Sequence, residues 1–400
     1  MRIQFSILLL LLLPIQKNVL AQDQYSLVFY GDSIRFSIPD HSFIDFGEAS
    51  LSISSVQEFY NRISKADFSD PISVLKTYRK KYQPDDWLYY QLVRKMAQQI
   101  SPKSDNYCRY TLYKWFFMCQ SDYTPILVIG ENKLLFYIEC SEQVYNIPIR
   151  EKWDKQFVCL NYHDYGSNID FTKNKFAEVP IAISQGNRSF SYKINKLPHF
   201  EEQDYVAKNV QFSINENEYR FKIKVNQQIQ PLFKNYPTVD YENYLNIPLS
   251  HDTYNTLIPA LKKALKGKSE KQGVDYLMQL TRYAFAFEAD SIKFGREKRF
   301  TPEQMLLFET SDCEDRVIFF FTLVKEIYNL PMIILSYPQH VSIAVNFDKH
   351  KGKPILYNGK PYFVCEPTPQ ATDLLIGQEL RTLKNVDYEI IYSYLPNKQP

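Results

Sequence analysis

The stretch "TSDCEDRVIFFFTLVKEIYNLPMIILSYPQHVSIAV", Thr310 to Val345, decides the fold. Asp312-x-x-Asp315 has the form of a capping box, with Asp in place of the usual Glu, so a helix is predicted to start at Cys313. Val317, Ile318, Phe319, Phe320, Phe321, Leu323, Val324 and Ile327 cover most of its circumference, which predicts a helix buried on nearly all sides. A thiol at the head of such a helix meets the positive end of the macrodipole and unsatisfied backbone N–H groups. The first favours a thiolate and the second can bind an oxyanion. Asp312, Glu314 and Asp315 oppose the thiolate, and a reactive Cys313 requires them to point out from the site.

Outward from the helix, "PMIILSY" reads as an apolar strand, Pro338-Gln339 as a turn and "HVSIAVNF" as the next strand. Alternation puts His340, Ser342 and Ala344 on one face and Val341, Ile343 and Val345 on the other. The small residues beside His340 are expected to leave room for the helix end to approach the ring. Asn358-Gly359 in "KPILYNGKPYFVCEPT" is a strong hairpin signal. In the strand after it Tyr362, Val364 and Glu366 share a face, opposite Phe363 and Cys365. Glu366 can therefore face His340, and a carboxylate beside a histidine fixes its tautomer and stabilises the imidazolium. Cysteine, histidine and acid then make a nucleophile, base and orienter.

In this order "SDCEDR", "PQHVSIAV" and "CEPT" resemble the transglutaminase-like superfamily, of the secreted bacterial type, whose fold is similar to papain-type cysteine proteases. The resemblance covers about Thr301–Thr368. It implies Cys313 as nucleophile, His340 as base and Glu366 as orienting acid, acting on an amide through a thioester. Two departures stand out: the family's acid is usually Asp, and no Trp follows the histidine here.

The rest of the chain frames this core. Four hundred residues exceed one compact core and point to two or three domains. Apolar content of 45% with 23% charge is that of a globular protein, and a net charge of +2 without a Lys/Arg stripe gives no sign of a nucleic-acid partner. "MRIQFSILLLLLLPIQKNVLAQ" has the Arg2 n-region, the Phe5–Ile15 apolar run and the small Ala21 of a signal peptide cut after Ala21. The mature protein is expected to be periplasmic or extracellular, without stable membrane insertion. The absence of a cysteine at the cleavage point argues against a lipid anchor. Cys108, Cys119, Cys140, Cys159 and Cys365 read as structural thiols, although a disulfide through Cys313 stays open. No CxxC, HExxH, GxGxxG, Walker or GxSxG pattern occurs, so neither a zinc site nor a cofactor is expected.

The expected architecture is α+β. After the signal (1–21) comes an α+β region (22–165), then a β-rich segment (166–247) read as a small antiparallel sandwich or sheet. The papain-like core with its Cys-His-Glu site occupies 248–400. Thr301-Pro302-Glu303-Gln304 reads as a helix start. A shift of 206 residues lays Phe157-Val158-Cys159 on Phe363-Val364-Cys365, and Pro125 on Pro331. It also lays Tyr107 on Cys313, Leu134 on His340 and Leu160 on Glu366. Residues ~60–165 thus read as a degenerate copy without the chemistry. The expected function is amide chemistry on a peptide, protein or cell-wall substrate, with hydrolysis by a peptidase or amidase favoured over cross-linking. The alternative is a non-catalytic binding or assembly module on the same fold.

Overall fold

Each half of the chain opens on a β-hairpin. In the computed structural model, which describes residues 22–166, 169–171, 175–184, 186–214, 216–288, 298–308, 310–348 and 352–396, the first hairpin is β1 (Gln22–Phe29) with β2 (Asp32–Pro39). Its turn residues Tyr30 and Gly31 both have positive φ, the geometry that matches strand twist. The signal-like segment 1–21 lies outside the described residues. Four helices follow: α1 (Ile53–Ile63), α2 (Ser69–Tyr82), α3 (Asp86–Ile100) and α4 (Tyr107–Cys119). Then come the strands β3 (Ile126–Gly130), β4 (Lys133–Glu139), β5 (Val144–Tyr145), β6 (Ile149–Lys152), β7 (Lys155–Cys159) and β8 (Ala177–Glu178).

The second half begins with β9 (Tyr205–Ile214) and β10 (Asn217–Asn226), followed by α5 (Ile229–Phe233), β11 (Thr238–Val239), α6 (Tyr241–Asn246), α7 (His251–Ala264) and α8 (Glu270–Tyr283). After β12 (Ala286–Phe287), α9 (Pro302–Leu307) and β13 (Thr310–Ser311) comes the helix of the quoted stretch, α10 (Cys313–Tyr328). The chain then forms β14 (Met332–Tyr337), β15 (His340–Asn346), β16 (Ile355–Tyr357), β17 (Lys360–Cys365) and β18 (Glu389–Tyr394). The architecture is α+β.

Local chemistry explains the key boundaries. Thr301 accepts from the Gln304 N–H with Pro302 at the first helical position, so α9 starts where the sequence signals it. Asp312 accepts from the N–H groups of Glu314 and Asp315, and Asp315 returns a bond to the Asp312 N–H, so the capping box of α10 is complete. Asn358 and Gly359 both have positive φ and turn β16 into β17.

The two halves carry sheets of one strand order. The first is β6-β7-β4-β3-β8 and the second β16-β17-β15-β14-β18. Their registers agree as well: Tyr137 faces Cys159 and Ile343 faces Cys365, an offset of 206 in both (343 − 137 and 365 − 159). The same offset carries Tyr107, the first residue of α4, onto Cys313, the first of α10. In each half that helix packs against a central strand of its sheet, α4 on β4 and α10 on β15.

Of the antiparallel sandwich or sheet expected over 166–247, the described residues form a sheet. Among the described residues its long strands form the two-stranded hairpin β9–β10, with alternating Val210, Phe212, Ile223 and Val225 buried. Its apolar face is covered by α7, α8 and α9, so it is a layer of the second half rather than a unit with its own core. One buried cluster runs through both halves. Trp87 Nε1 donates to the Leu232 carbonyl at 3.1 Å, Tyr236 hydroxyl to the Tyr192 carbonyl at 2.5 Å, and β5 pairs with β11.

Candidate active site

Cys313 stands at the head of α10, whose body from Val317 to Val324 is buried. Beyond it, β14 and β15 bring the chain back so that the backbone N–H of Val341 is aimed at the sulfur. Burial, reinforced by Asp312, Glu314 and Glu366, pushes the Cys313 thiol up to about 12, and the Val341 N–H opposes that rise. The other five cysteines are unpaired too, and no disulfide runs through Cys313.

His340 and Glu366 meet. His340 Nε2 lies 2.9 Å from Glu366 Oε2, with the Glu366 side chain essentially sealed from solvent. A carboxylate accepts only, so Nε2 carries the proton and Nδ1 is left as the basic nitrogen of the neutral ring. Glu366 is itself held: its Oε1 accepts from the Thr368 N–H at 2.9 Å, and its carbonyl accepts from Arg282 Nε at 2.7 Å.

The approach of the helix differs from expectation. Val341, Ile343 and Val345 pack in the cluster that contains α10, whereas Ala344, Tyr362 and Val364 lie on the opposite face, covered by Leu383 and Val386. The apolar helix prefers the branched face of β15. Cys313 therefore reaches the sheet at the His340–Val341 peptide, not across the small residues that follow His340.

The three acids around Cys313 are all engaged. Asp312 caps the helix, and Asp315 accepts from the Phe300 N–H at 2.7 Å. Glu314 bonds Arg299 Nε at 2.8 Å, and the Arg299 guanidinium lies over the Tyr241 ring, 3.8 Å from its centroid. The cap has a second consequence. It uses the N–H groups of Glu314 and Asp315, which leaves the Cys313 N–H as the helix-terminal donor outside the cap.

Sequence reasoning missed three arginines. Arg282 holds the Glu366 backbone and the Leu374 carbonyl. Arg299 neutralises Glu314. Arg316, fully buried, donates to the carbonyls of Thr281, Arg282, Phe285 and Ala286, tying α10 to the end of α8. Burial lowers its pKa to about 10. A charge inside "CEDRVIFFF" was the available signal, because an arginine on a helix buried all round must find acceptors.

In the first half the matching positions hold different chemistry. The Tyr107 hydroxyl donates to Asp164 Oδ2 at 2.8 Å and accepts from Asn161 Nδ2 at 2.9 Å, while Leu134 and Leu160 are buried. A cavity of about 430 Å³ also lies in that half, away from Cys313. Among the described residues no cluster of His, Cys, Asp and Glu could hold a metal ion, and no helix is long and apolar enough to cross a membrane. Set against known protein families, curated proteins and solved structures, the chain finds no match.

Proposed function

We propose that the second half is a transglutaminase-like, papain-like core that performs acyl chemistry on an amide, with Cys313 as nucleophile, His340 as base and Glu366 as orienting acid. The observation that carries this reading is the sealed His340–Glu366 bond beside a helix-terminal cysteine whose sulfur faces the Val341 N–H. His340 Nδ1 takes the thiol proton as sulfur attacks the carbonyl carbon, and His340 then protonates the departing amine. The Glu366 carboxylate stabilises the imidazolium between those two steps. The Cys313 N–H faces the oxyanion. Water completes hydrolysis, so the activity is that of a peptidase or amidase. With the signal-like leader, the protein is exported, and peptide, protein or cell-wall amides are its substrates. The first half is a copy of the same core that lacks the chemistry; one strand order, one register and one helix start support this.

A second reading has its own support. A thiol raised to about 12 is a poor nucleophile at neutral pH, as in a binding or assembly module that keeps the fold without turnover. Iodoacetamide alkylation across pH separates the two. The enzyme reading expects fast labelling of Cys313 below pH ~8 that slows on His340→Ala. Labelling that climbs only in strong alkali and ignores His340→Ala would sink it in favour of the module.

A further inference from the structure

The shared strand order allows the two sheets to be compared residue by residue at their β8 and β18 edges. Ile334, opposite Ile343, answers to Ile126, opposite Tyr137, and Met332 then answers to Thr124. On the outer edge Glu389 pairs with Ser336 as Glu178 pairs with Val128. From that point the halves diverge. β18 runs on, placing Tyr392 beside Ile334 and Tyr394 beside Met332. Both rings pack on Phe321 of α10, at centroid distances of 5.9 and 5.5 Å. In the first half the ladder closes with the Val179 N–H on the Leu127 carbonyl, and Pro180 follows. Proline has no N–H and cannot continue the pairing.

The place of the two tyrosines is then open. The cavity of about 430 Å³ is lined by Thr124 and Ile126, the counterparts of Met332 and Ile334. Its lining also includes Trp115, which the 206-residue offset carries onto Phe321. Ile181 and Ile183 line it too, and the Lys152–Glu178 ion pair stands among the lining residues. The volume is that of a small-molecule pocket. A peptide strand is a poor occupant, because the position that would pair with it is Pro125, whose carbonyl already accepts from Trp115 Nε1 at 3.1 Å. What the pocket offers is two indoles, the buried Trp115 and the exposed Trp153, with aliphatic walls and a charged pair whose Lys152 ammonium lies over the Trp153 ring, 3.8 Å from its centroid.

We infer that this cavity is a binding site for a small planar aromatic compound carrying one polar group, occupying the space that Tyr392 and Tyr394 fill in the other half. The ring packs among the indole and isoleucine side chains of the lining, with Trp153 as the exposed aromatic surface, and the polar group meets the Lys152–Glu178 pair. This inference is independent of the Cys313 chemistry.

The probe is 2-naphthol, titrated calorimetrically into the full chain, with cyclohexanol as the non-aromatic control. Saturable one-to-one binding of 2-naphthol is expected, at least about fivefold tighter than cyclohexanol, the scale of an aromatic contact. Ile181→Trp fills the cavity from its partly exposed wall and is expected to weaken binding about tenfold or more while the thermal midpoint holds. If that variant misfolds, Ile183→Phe serves the same purpose. Lack of binding at millimolar 2-naphthol, equal affinity for the two alcohols, or unaltered affinity in a folded cavity-filled variant would each overturn the assignment.

Discussion

Replacing Arg316 with Met should loosen the root of the candidate site. The guanidinium is fully buried and donates to four carbonyls, at 2.6 and 3.0 Å from Nη1 and at 2.9 and 3.0 Å from Nη2. Two of those acceptors, Thr281 and Arg282, belong to the last turn of α8, so the cation also sits at the negative end of a helix. Four bonds from a charged donor are worth about 1.5 kcal/mol each, roughly 6 kcal/mol gross. Burying the guanidinium opposes this, and its lowered pKa reflects that burial. A net loss of about 3–4 kcal/mol is expected for Arg316→Met. Urea unfolding measures it, and hydrogen exchange on peptides from α8 and α10 tells local release from global loss. Arg316→Lys should recover little, because an ammonium cannot span four acceptors in a fork. A loss below about 1 kcal/mol would refute the reasoning, since the carbonyls would then be satisfied without the guanidinium.

Other consequences can be tested alongside it. Arg299→Ala frees the Glu314 charge beside Cys313, so alkylation of Cys313 at pH 9 should slow several-fold. The Cys313 thiol is raised from 9 to about 12 in the folded state, so its stabilising contribution is full below pH ~9 and is lost as pH rises through about 12. Urea midpoints should therefore fall across that window, and less steeply in Cys313→Ala. Glu303, buried in α9, accepts from the Asn226 and Ser250 N–H groups and the Ser250 and Thr253 hydroxyls. Glu303→Ala leaves those donors unpaired and should cost about 3–5 kcal/mol by urea unfolding, with faster exchange at the start of α7.

Much of the second half could be read from local signals, because each names its own partner within a few residues. Asp312 and Asp315 cap one helix, Thr301 and Pro302 start another, and Asn358-Gly359 closes a hairpin. The meeting of His340 and Glu366 followed from strand alternation and one turn. What escaped was decided at a distance. The face of β15 that receives α10 depends on which side chains best fill the interface, and alternation alone does not rank two faces. The fate of the 205–226 hairpin was set by α7, α8 and α9, which arrive later in the chain. Arg282 gave no hint of its role, since its acceptors are the carbonyls of Glu366 and Leu374, far along the sequence. The offset of 206 was visible in few identities because the halves share backbone register far more than side chains.

Pro125 and Pro180 have a consequence for the protein in crowded solution. A bare sheet margin is a template on which a neighbouring molecule can add a strand, and successive additions lead to fibres or precipitates. Two imino acids at the rim of the first sheet, one just before β3 and one shortly after β8, lack the donors such growth needs. The margin can thus stay open to a small guest while refusing another polypeptide.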